Sequence, residues 1–185
     1  MAADADPCPG EHDDPCCGVS AVANDEVLIK IVEIRSLLTE DQQGRPRLTA
    51  SAIKREDLAG RGGRSVSTLR QGLTPYNEVQ RRSKSINRES AWVDDPLLAM
   101  AATSDLRSLE DKASRREVCV HAEPTTIEND KLGACPTHAG IKRSCTPPET
   151  KSRLEWAVLR GAVAAQFREF RHAYSDQSVT DGLIK

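Results

Sequence analysis

Aromatic side chains are scarce in this sequence: they make up 3% of its 185 residues, as two tryptophans, two tyrosines and two phenylalanines. Hydrophobic residues of all kinds reach 38%, and charged residues reach 29%. Large apolar side chains supply most of the favourable free energy of a core, so this composition predicts one modest core with polar segments outside it. The length fits a single ordinary domain.

Long apolar runs are absent as well. A transmembrane helix needs about 18 or more consecutive apolar residues, and no stretch of the sequence approaches that length. The N-terminus has neither the positive charges nor the apolar segment of a secretory signal. We therefore expect no membrane association and a cytoplasmic location. In that compartment the six cysteines are expected to be free thiols or metal ligands rather than a disulfide framework.

No lysine or arginine occurs in residues 1–25, which carry several acidic residues, prolines and glycines. We predict a disordered acidic leader here. Within it, Cys8, His12, Cys16 and Cys17 have side chains of the types that bind Zn²⁺. Their spacing matches no common zinc motif, so a flexible segment with incidental thiols is the favoured interpretation.

Basic residues are concentrated between residues 45 and 88, where eleven of them face three acidic residues, a net charge of +8. Such a surface can bind phosphates. The candidate basic surface consists of Arg61, Arg64, Arg81, Arg82, Lys84 and Arg88. Proteins that bind single strands also use aromatic stacking, and Tyr76 is the only aromatic residue in this span. Weak nucleic-acid binding is therefore an alternative, and a solvated basic face is favoured.

Several segments predict regular structure. Short β-branched runs indicate strands at residues 27–34 and 65–69. Asp95 followed by Pro96 is a typical helix start, so we predict a short apolar helix over 96–102 and a second helix over about 104–116. Near the C-terminus, a capping-box pattern at 146–149 precedes apolar residues that recur every three or four positions. We predict a long helix over about 147–174 that packs on a sheet, with a partner-helix interface as the alternative.

Apolar and polar residues alternate in the segment EVCVHAE at 117–123, which predicts a strand. Val118, Val120 and Ala122 share one face of this strand. Cys119 and His121 share the other face and lie about 7 Å apart along it. A turn and a second strand at 139–141 are predicted to follow.

Three hypotheses compete for Cys119, His121, Cys135 and His138. The first is a zinc site with two cysteine and two histidine ligands, although the spacing is not a common finger pattern. The second is a cysteine nucleophile with a histidine base, for which the sequence identifies no acidic partner. The third, which we favour, has cysteines as small buried apolar groups and histidines as hydrogen-bonded polar groups. No cofactor is predicted, and zinc is the alternative.

Several short motifs resemble those of a diffuse group of small uncharacterised bacterial proteins. That group shares a Ser-Ala-aromatic segment, a short Leu-Ser-Val strand and a late Pro-x-His-Ala motif. The matching residues here are Ser51, Ala52 and Ile53 (isoleucine in place of the aromatic residue), then Ser65 and Val66, then Pro136, His138 and Ala139. The resemblance touches about half of the chain. It implies a bacterial α+β protein and singles out His138, and it implies no particular activity.

We predict one α+β domain over residues 26–174, in which a small mixed or antiparallel sheet is packed by the long C-terminal helix. Residues 45–90 are its basic, loop-rich part, and residues 175–185 are a polar tail. As function we predict a non-catalytic interaction or accessory protein of the bacterial cytoplasm, with a protein partner of unspecified kind. The alternatives are a metal-binding or Cys/His-dependent enzyme site at 119–138 and nucleic-acid binding through 45–88. The sequence leaves the oligomeric state open.

Overall fold

The computed structural model of the chain describes Cys8, Glu11 and residues 21–33, 37–86, 98–123, 138–144 and 151–169. These residues form an α+β fold, which confirms the predicted fold class. The strands are β1 (Val27–Ile31), β2 (Leu38–Glu40), β3 (Pro46–Leu48), β4 (Val66–Arg70), β5 (Leu98–Ala102), β6 (Val118–Glu123), β7 (His138–Arg143) and β8 (Arg168–Glu169). The α-helices are α1 (Arg55–Leu58), α2 (Tyr76–Ile86), α3 (Thr103–Arg107) and α4 (Arg153–Gln166).

The described strands form one eight-stranded sheet in the order β2-β3-β8-β5-β1-β4-β7-β6. These strands pair with one another in antiparallel fashion. Within this part of the chain, β6 is therefore an outer strand and β1 lies near the middle. The sheet is antiparallel, one of the two arrangements that we predicted.

Two apolar cores lie on opposite faces of the sheet because successive side chains of a strand point to opposite sides. The larger core lies between the sheet and α4, and its members include Leu28, Val66, Val118, Val120, Ile141, Trp156, Leu159, Val163 and Phe167. The smaller core lies under α2 and contains Ile29, Leu69, Val79, Leu98 and Met100. The predicted alternation of residues 117–123 is confirmed, since Val118 and Val120 belong to the larger core.

The strand predictions near 27–34, 65–69, 117–123 and 139–141 are confirmed as β1, β4, β6 and β7, with shifts of a few residues at their ends. The predicted helix at 96–102 is wrong, because Leu98–Ala102 is the strand β5. This strand lies between β8 and β1 and is buried on both faces, so it is apolar throughout and lacks the alternation of a half-buried strand. The predicted helix over 104–116 is also too long, since α3 ends at Arg107.

The C-terminal helix α4 is shorter than predicted. It begins at Arg153 behind a capping box in which Ser152 Oγ accepts from the Glu155 backbone N–H and Glu155 Oε2 accepts from the Ser152 backbone N–H. The predicted cap at 146–149 lies outside the described residues, and Lys151 is not helical. After Gln166 the chain enters β8, which pairs with β3 and β5. Phe167 fits the helical spacing of the apolar residues and is buried in the core, but it lies after the end of α4.

The predicted leader is described at Cys8, Glu11 and residues 21–25. Cys8 and Glu11 are buried against the domain, so the prediction of a solvated leader is wrong at these two positions. The other residues up to 20, like the predicted tail at 175–185, lie outside the described residues. Among the helices that the structure describes, none combines the length and the apolar character needed to span a membrane.

Two leucines on α4 provide a matched test of this packing. Leu159 is 1% exposed, whereas Leu154 is 74% exposed. We expect Leu159→Ala to lower the free energy of unfolding by about 2–5 kcal/mol, because it leaves a cavity in the core. Leu154→Ala should change it by less than about 0.5 kcal/mol. Urea denaturation measures both, and equal losses would contradict the assigned face of α4.

Candidate functional site

Cys119 forms a disulfide bond with Cys8, with a Cα–Cα distance of 5.5 Å. The prediction of free thiols or metal ligands is therefore wrong for these two cysteines. Cys119 supplies neither a thiolate for a metal nor a nucleophile while this bond is closed. The sequence did not reveal the pair, because 111 positions separate the two residues.

Glu11 is the second contact between the leader and β6, and its side chain is 1% exposed. Its Oε1 accepts from the backbone N–H of Val120 at 2.7 Å and from Arg107 Nε at 2.9 Å. Arg116 Nη2 donates to the same oxygen. Among the described residues, Glu11 Oε2 has no hydrogen-bond partner. One buried carboxylate thus lies between two guanidinium groups.

The pKa of Glu11 reflects two opposed effects. Burial raises it, because a charged carboxylate loses its hydration. The hydrogen bonds from Arg116, Val120 and Arg107 outweigh this and hold the pKa of Glu11 below its usual value. The carboxylate is therefore charged at neutral pH.

Arg107 is held in place by more than Glu11. Its Nη1 donates to Asn24 Oδ1 at 2.6 Å, and its Nη2 donates to the carbonyl oxygens of Val22 and Val120 at 2.9 and 3.0 Å. Arg116 Nε donates to the carbonyl oxygen of Val118 at 2.9 Å. Both guanidinium groups thus have fixed positions along the outer edge of β6.

Glu11, Arg107 and Arg116 form hydrogen bonds with the backbone groups of β6 that point away from β7. Glu117 O accepts from the backbone N–H of Ser144, next to β7, so alternate residues from Cys119 onward bond to β7. Val118 and Val120 point their N–H and C=O groups away from β7. An outer strand normally offers such groups to another strand, and here the leader and two arginines occupy this position.

His121, Glu123 and Ser65 form a second polar cluster. It lies on the face of β6 and β7 that carries the His121 side chain. His121 Nε2 is 3.4 Å from Glu123 Oε1 and, among the described residues, makes no hydrogen bond of good geometry. Ser65 Oγ donates to Glu123 Oε1. Burial raises the pKa of Glu123, and the interactions with His121 and Ser65 outweigh it, so the pKa is lowered. The hydroxyl contacts the carboxylate and not the imidazole, so this is not the serine–histidine order of a nucleophilic triad.

His138 faces α2. Arg82 Nη1 lies 2.6 Å from His138 Nε2. Because a guanidinium only donates, His138 Nε2 must be the unprotonated acceptor and the proton must be on Nδ1. Arg82 Nε also donates to Glu78 Oε1 at 2.7 Å. Arg81 donates to both carboxylate oxygens of Glu78 and, with Arg82, lowers its pKa to about 2.

Burial of the imidazole and the adjacent Arg82 guanidinium lower the pKa of His138 to about 4. Glu123 and Glu78 oppose this shift but are outweighed. His138 is thus neutral at physiological pH and is engaged by Arg82. A base that accepts protons near pH 7 needs a pKa close to that value, which His138 does not have.

The structure brings only some of the predicted site residues together. In the pairing of β6 with β7, Glu123 lies opposite His138 and His121 lies opposite Gly140. Cys119 is bonded to Cys8, and Cys135 lies outside the described residues. Among the residues that the structure describes, no group of three or more histidine, cysteine or acidic side chains has the arrangement of a metal site.

The candidate basic surface is divided between the two ends of β7. Arg81, Arg82 and Lys84 lie on α2, where Arg82 contacts His138. Arg61 and Arg64 lie after α1, where the neighbouring Gly60 approaches the Lys142 side chain. His138 and Lys142 are four residues apart, or about 13 Å along the strand. Arg88 lies outside the described residues.

Sequence reasoning missed Glu11, Arg107 and Arg116, which hold the edge of β6. Nothing local distinguishes Glu11 from the other acids of the leader. Comparisons of the chain with protein families, curated proteins and solved structures found no match. The resemblance to small bacterial proteins thus stays a prediction.

Acid should destabilise the protein through His138. Its pKa is about 4 when folded and near the usual 6.5 when unfolded, so between these values the unfolded chain binds a proton that the folded chain does not. The free energy of unfolding should fall by about 1–2 kcal/mol between about pH 7.5 and about pH 5 from this residue. His138→Gln keeps an acceptor for Arg82 and does not titrate. Urea denaturation should show a smaller pH dependence for this variant, and identical slopes would contradict the assignment.

Gly140 explains how closely Ser65 and Glu123 approach β7. A Cβ atom at this position would overlap the Glu123 carboxylate and the Ser65 hydroxyl. We expect Gly140→Ala to lower the free energy of unfolding by about 1–3 kcal/mol. Gly161 on α4 has open space around its Cβ position, and Gly161→Ala should instead stabilise the protein by up to about 1 kcal/mol. Thermal or urea denaturation that gave both variants the same sign would overturn this interpretation.

Proposed function

We propose that this chain is a non-catalytic interaction protein that binds an acidic segment along the outer edge of β6, and that its own leader occupies this edge. The observation that carries the proposal is the Glu11 carboxylate buried between Arg107, Arg116 and the Val120 N–H. A carboxylate taken from a distant segment is already bound there, so a carboxylate from another chain meets the same chemistry.

Cys8 and Glu11 form a turn in which the Glu11 N–H donates to the Cys8 carbonyl oxygen, so the leader contacts the edge through its side chains and leaves strand addition to a competing peptide. An extended peptide that binds a sheet edge gains affinity from main-chain hydrogen bonds and specificity from its side chains. The Val120 N–H and the carbonyls of Val118 and Val120 are the groups that such a peptide would use. All three are covered by side chains, two of them by arginines.

Charge supports an acidic occupant. Two guanidinium groups face one carboxylate, so the edge keeps a positive excess when Glu11 is in place. Arg107 is fixed by Asn24 and Val22 as well as by Glu11, and its position does not depend on the leader alone. A receptor that is already ordered binds at a lower entropic cost.

The Cys8–Cys119 bond supports control of access. It ties the leader to β6 one residue from Val120. In the bacterial cytoplasm that we propose from the sequence, thiols are kept reduced, and the leader would be held by the Glu11 contacts alone. In an oxidising environment the bond closes and the leader covers the edge permanently. The nucleic-acid alternative stays a prediction, and Glu78 already pairs with two of its arginines, Arg81 and Arg82.

A labelled peptide of residues 4–15 with Cys8 replaced by serine tests the site. We expect it to bind the full-length double variant Cys8→Ser, Glu11→Gln, whose edge is open, and not the oxidised wild-type protein. The same peptide with Glu11→Gln should bind roughly tenfold more weakly, which corresponds to about 1.4 kcal/mol for one charged hydrogen bond. Fluorescence anisotropy measures both affinities.

Equal binding of the two peptides, or no saturable binding to the open variant, would refute the site. Hydrogen exchange in the wild-type protein gives a second readout that does not depend on the variant. Reduction should speed exchange of the Val120 amide, which points outward, more than that of the His121 amide, which faces β7. Unchanged exchange at both amides would show that the leader does not open.

A further inference from the structure

Two arginines lie directly opposite each other near one end of the sheet. Arg47 of β3 pairs with Arg168 of β8, so both side chains leave the sheet on the same face. Residues opposed in this way have Cβ atoms about 5 Å apart, and two like charges at that position destabilise the pairing. The two guanidinium groups therefore need an anion near them.

The described part of the chain supplies no carboxylate to either guanidinium. Neither Arg47 nor Arg168 forms an ion pair or a side-chain hydrogen bond with another described residue. Arg45, close to them in sequence, differs, because its Nε donates to Asp41 Oδ2 at 2.9 Å. Arg47 is half-buried and Arg168 is exposed. A ligand can therefore reach both side chains without displacing an acidic partner.

Both arginines line a cavity of about 500 Å³. The turn at 41–45 and Ala165 of α4 border the same cavity. Its volume falls within the range of about 300–1,000 Å³ that is typical of small-molecule sites. Among the described residues that line it, three guanidinium groups face one carboxylate, that of Asp41. The wall thus carries an excess of two positive charges, on Arg47 and Arg168.

The turn beside this pair is held in place by Asp41. Its Oδ1 accepts from the backbone N–H groups of Gln43 and Arg45, both at 2.9 Å. Gln43 Oε1 accepts from Arg45 Nη2 at 3.2 Å, which leaves the Gln43 amide N–H groups as donors on the cavity wall. This wall is therefore ordered before a ligand binds, which lowers the entropic cost of binding.

The excess of two charges favours a doubly charged oxyanion. A phosphate monoester carries about −1.5 to −2 charges at pH 7 and has three acceptor oxygens. Guanidinium groups bind phosphate through two parallel hydrogen bonds each, and the paired arginines present two such groups side by side. A monocarboxylate would offset only one of the two charges.

We propose that Arg47 and Arg168 bind the phosphate group of a small phosphate monoester, whose body occupies the remaining cavity beside Gln43 and Pro46. Strands β3 and β8 lie toward one end of the sheet, and β6 is the outer strand at the other end. The site is therefore separate from the edge of β6 and does not depend on the interaction proposed there.

Protection of arginines from modification tests the site in the wild-type chain. Phenylglyoxal labelling and peptide mass mapping give the rate for each arginine, with glycerol phosphate, inorganic phosphate and acetate as separate probes. Saturating glycerol phosphate should slow labelling of Arg47 and Arg168 roughly tenfold. Arg64 is exposed and does not line the cavity, so its rate should not change.

The other two probes decide the ligand class. Inorganic phosphate should protect the same two arginines at higher concentrations than glycerol phosphate does, because it leaves the rest of the cavity empty. Acetate should protect them weakly, since it has one charge. Equal protection by acetate and glycerol phosphate, tighter binding of inorganic phosphate than of the ester, or equal protection of Arg64 would overturn the proposal.

Calorimetry with glycerol phosphate provides the variant test. Arg168→Met should weaken binding roughly tenfold or more, and Arg168→Lys should weaken it as well, because lysine keeps the charge but loses the paired donors. Arg64→Met is the matched control and should leave binding within about twofold. Because Arg168 is exposed, its variants are expected to fold, which thermal denaturation checks. Unchanged binding by folded Arg168→Met would refute the site.

Discussion

The structure around β6 depends on one buried carboxylate. Glu11 loses its hydration entirely, and the penalty for a buried ion is several kcal/mol unless its charge is paired. Its partners come from α3, from the segment before β6 and from β6 itself. Removal of Glu11 would take the one carboxylate from both guanidinium groups. Leader, helix and outer strand are therefore linked through a single side chain.

The same contacts solve a general problem of antiparallel sheets. An uncovered outer strand pairs with other chains and aggregates, and β6 carries the apolar residues that would favour this. Side chains and a tethered segment cover it in place of another strand, which is the arrangement that a competing peptide would have to displace in the binding that we propose. Protection of the edge and the proposed binding activity thus have the same physical origin.

Local patterns account for the parts of the fold that were predicted correctly. Alternation at Val118 and Val120 identified β6 because one face of that strand is buried and the other is polar. The strand β5 was mistaken for a helix because a strand buried on both faces has no alternation, and Asp95-Pro96 added a strong helix-start signal. The helix α2 was missed because its outward positions are polar and, among its described side chains, Val79 and Tyr76 are the apolar ones that reach the core. The end of α4 depends on the pairing of Arg168 with β3 and β5, which no local pattern encodes.

The sequence identified which residue types form the candidate site, but it did not reveal their protonation or bonding state. His121, His138 and Cys119 were singled out because their side chains are chemically versatile, yet the partner of each is far away in the sequence: Arg82 is 56 positions from His138, and Cys8 is 111 from Cys119. Those partners make His138 neutral and Cys119 a disulfide sulfur, which reduces their reactivity. The binding that we propose lies instead where charge is not fully compensated, since one carboxylate, that of Glu11, faces the two guanidinium groups of Arg107 and Arg116.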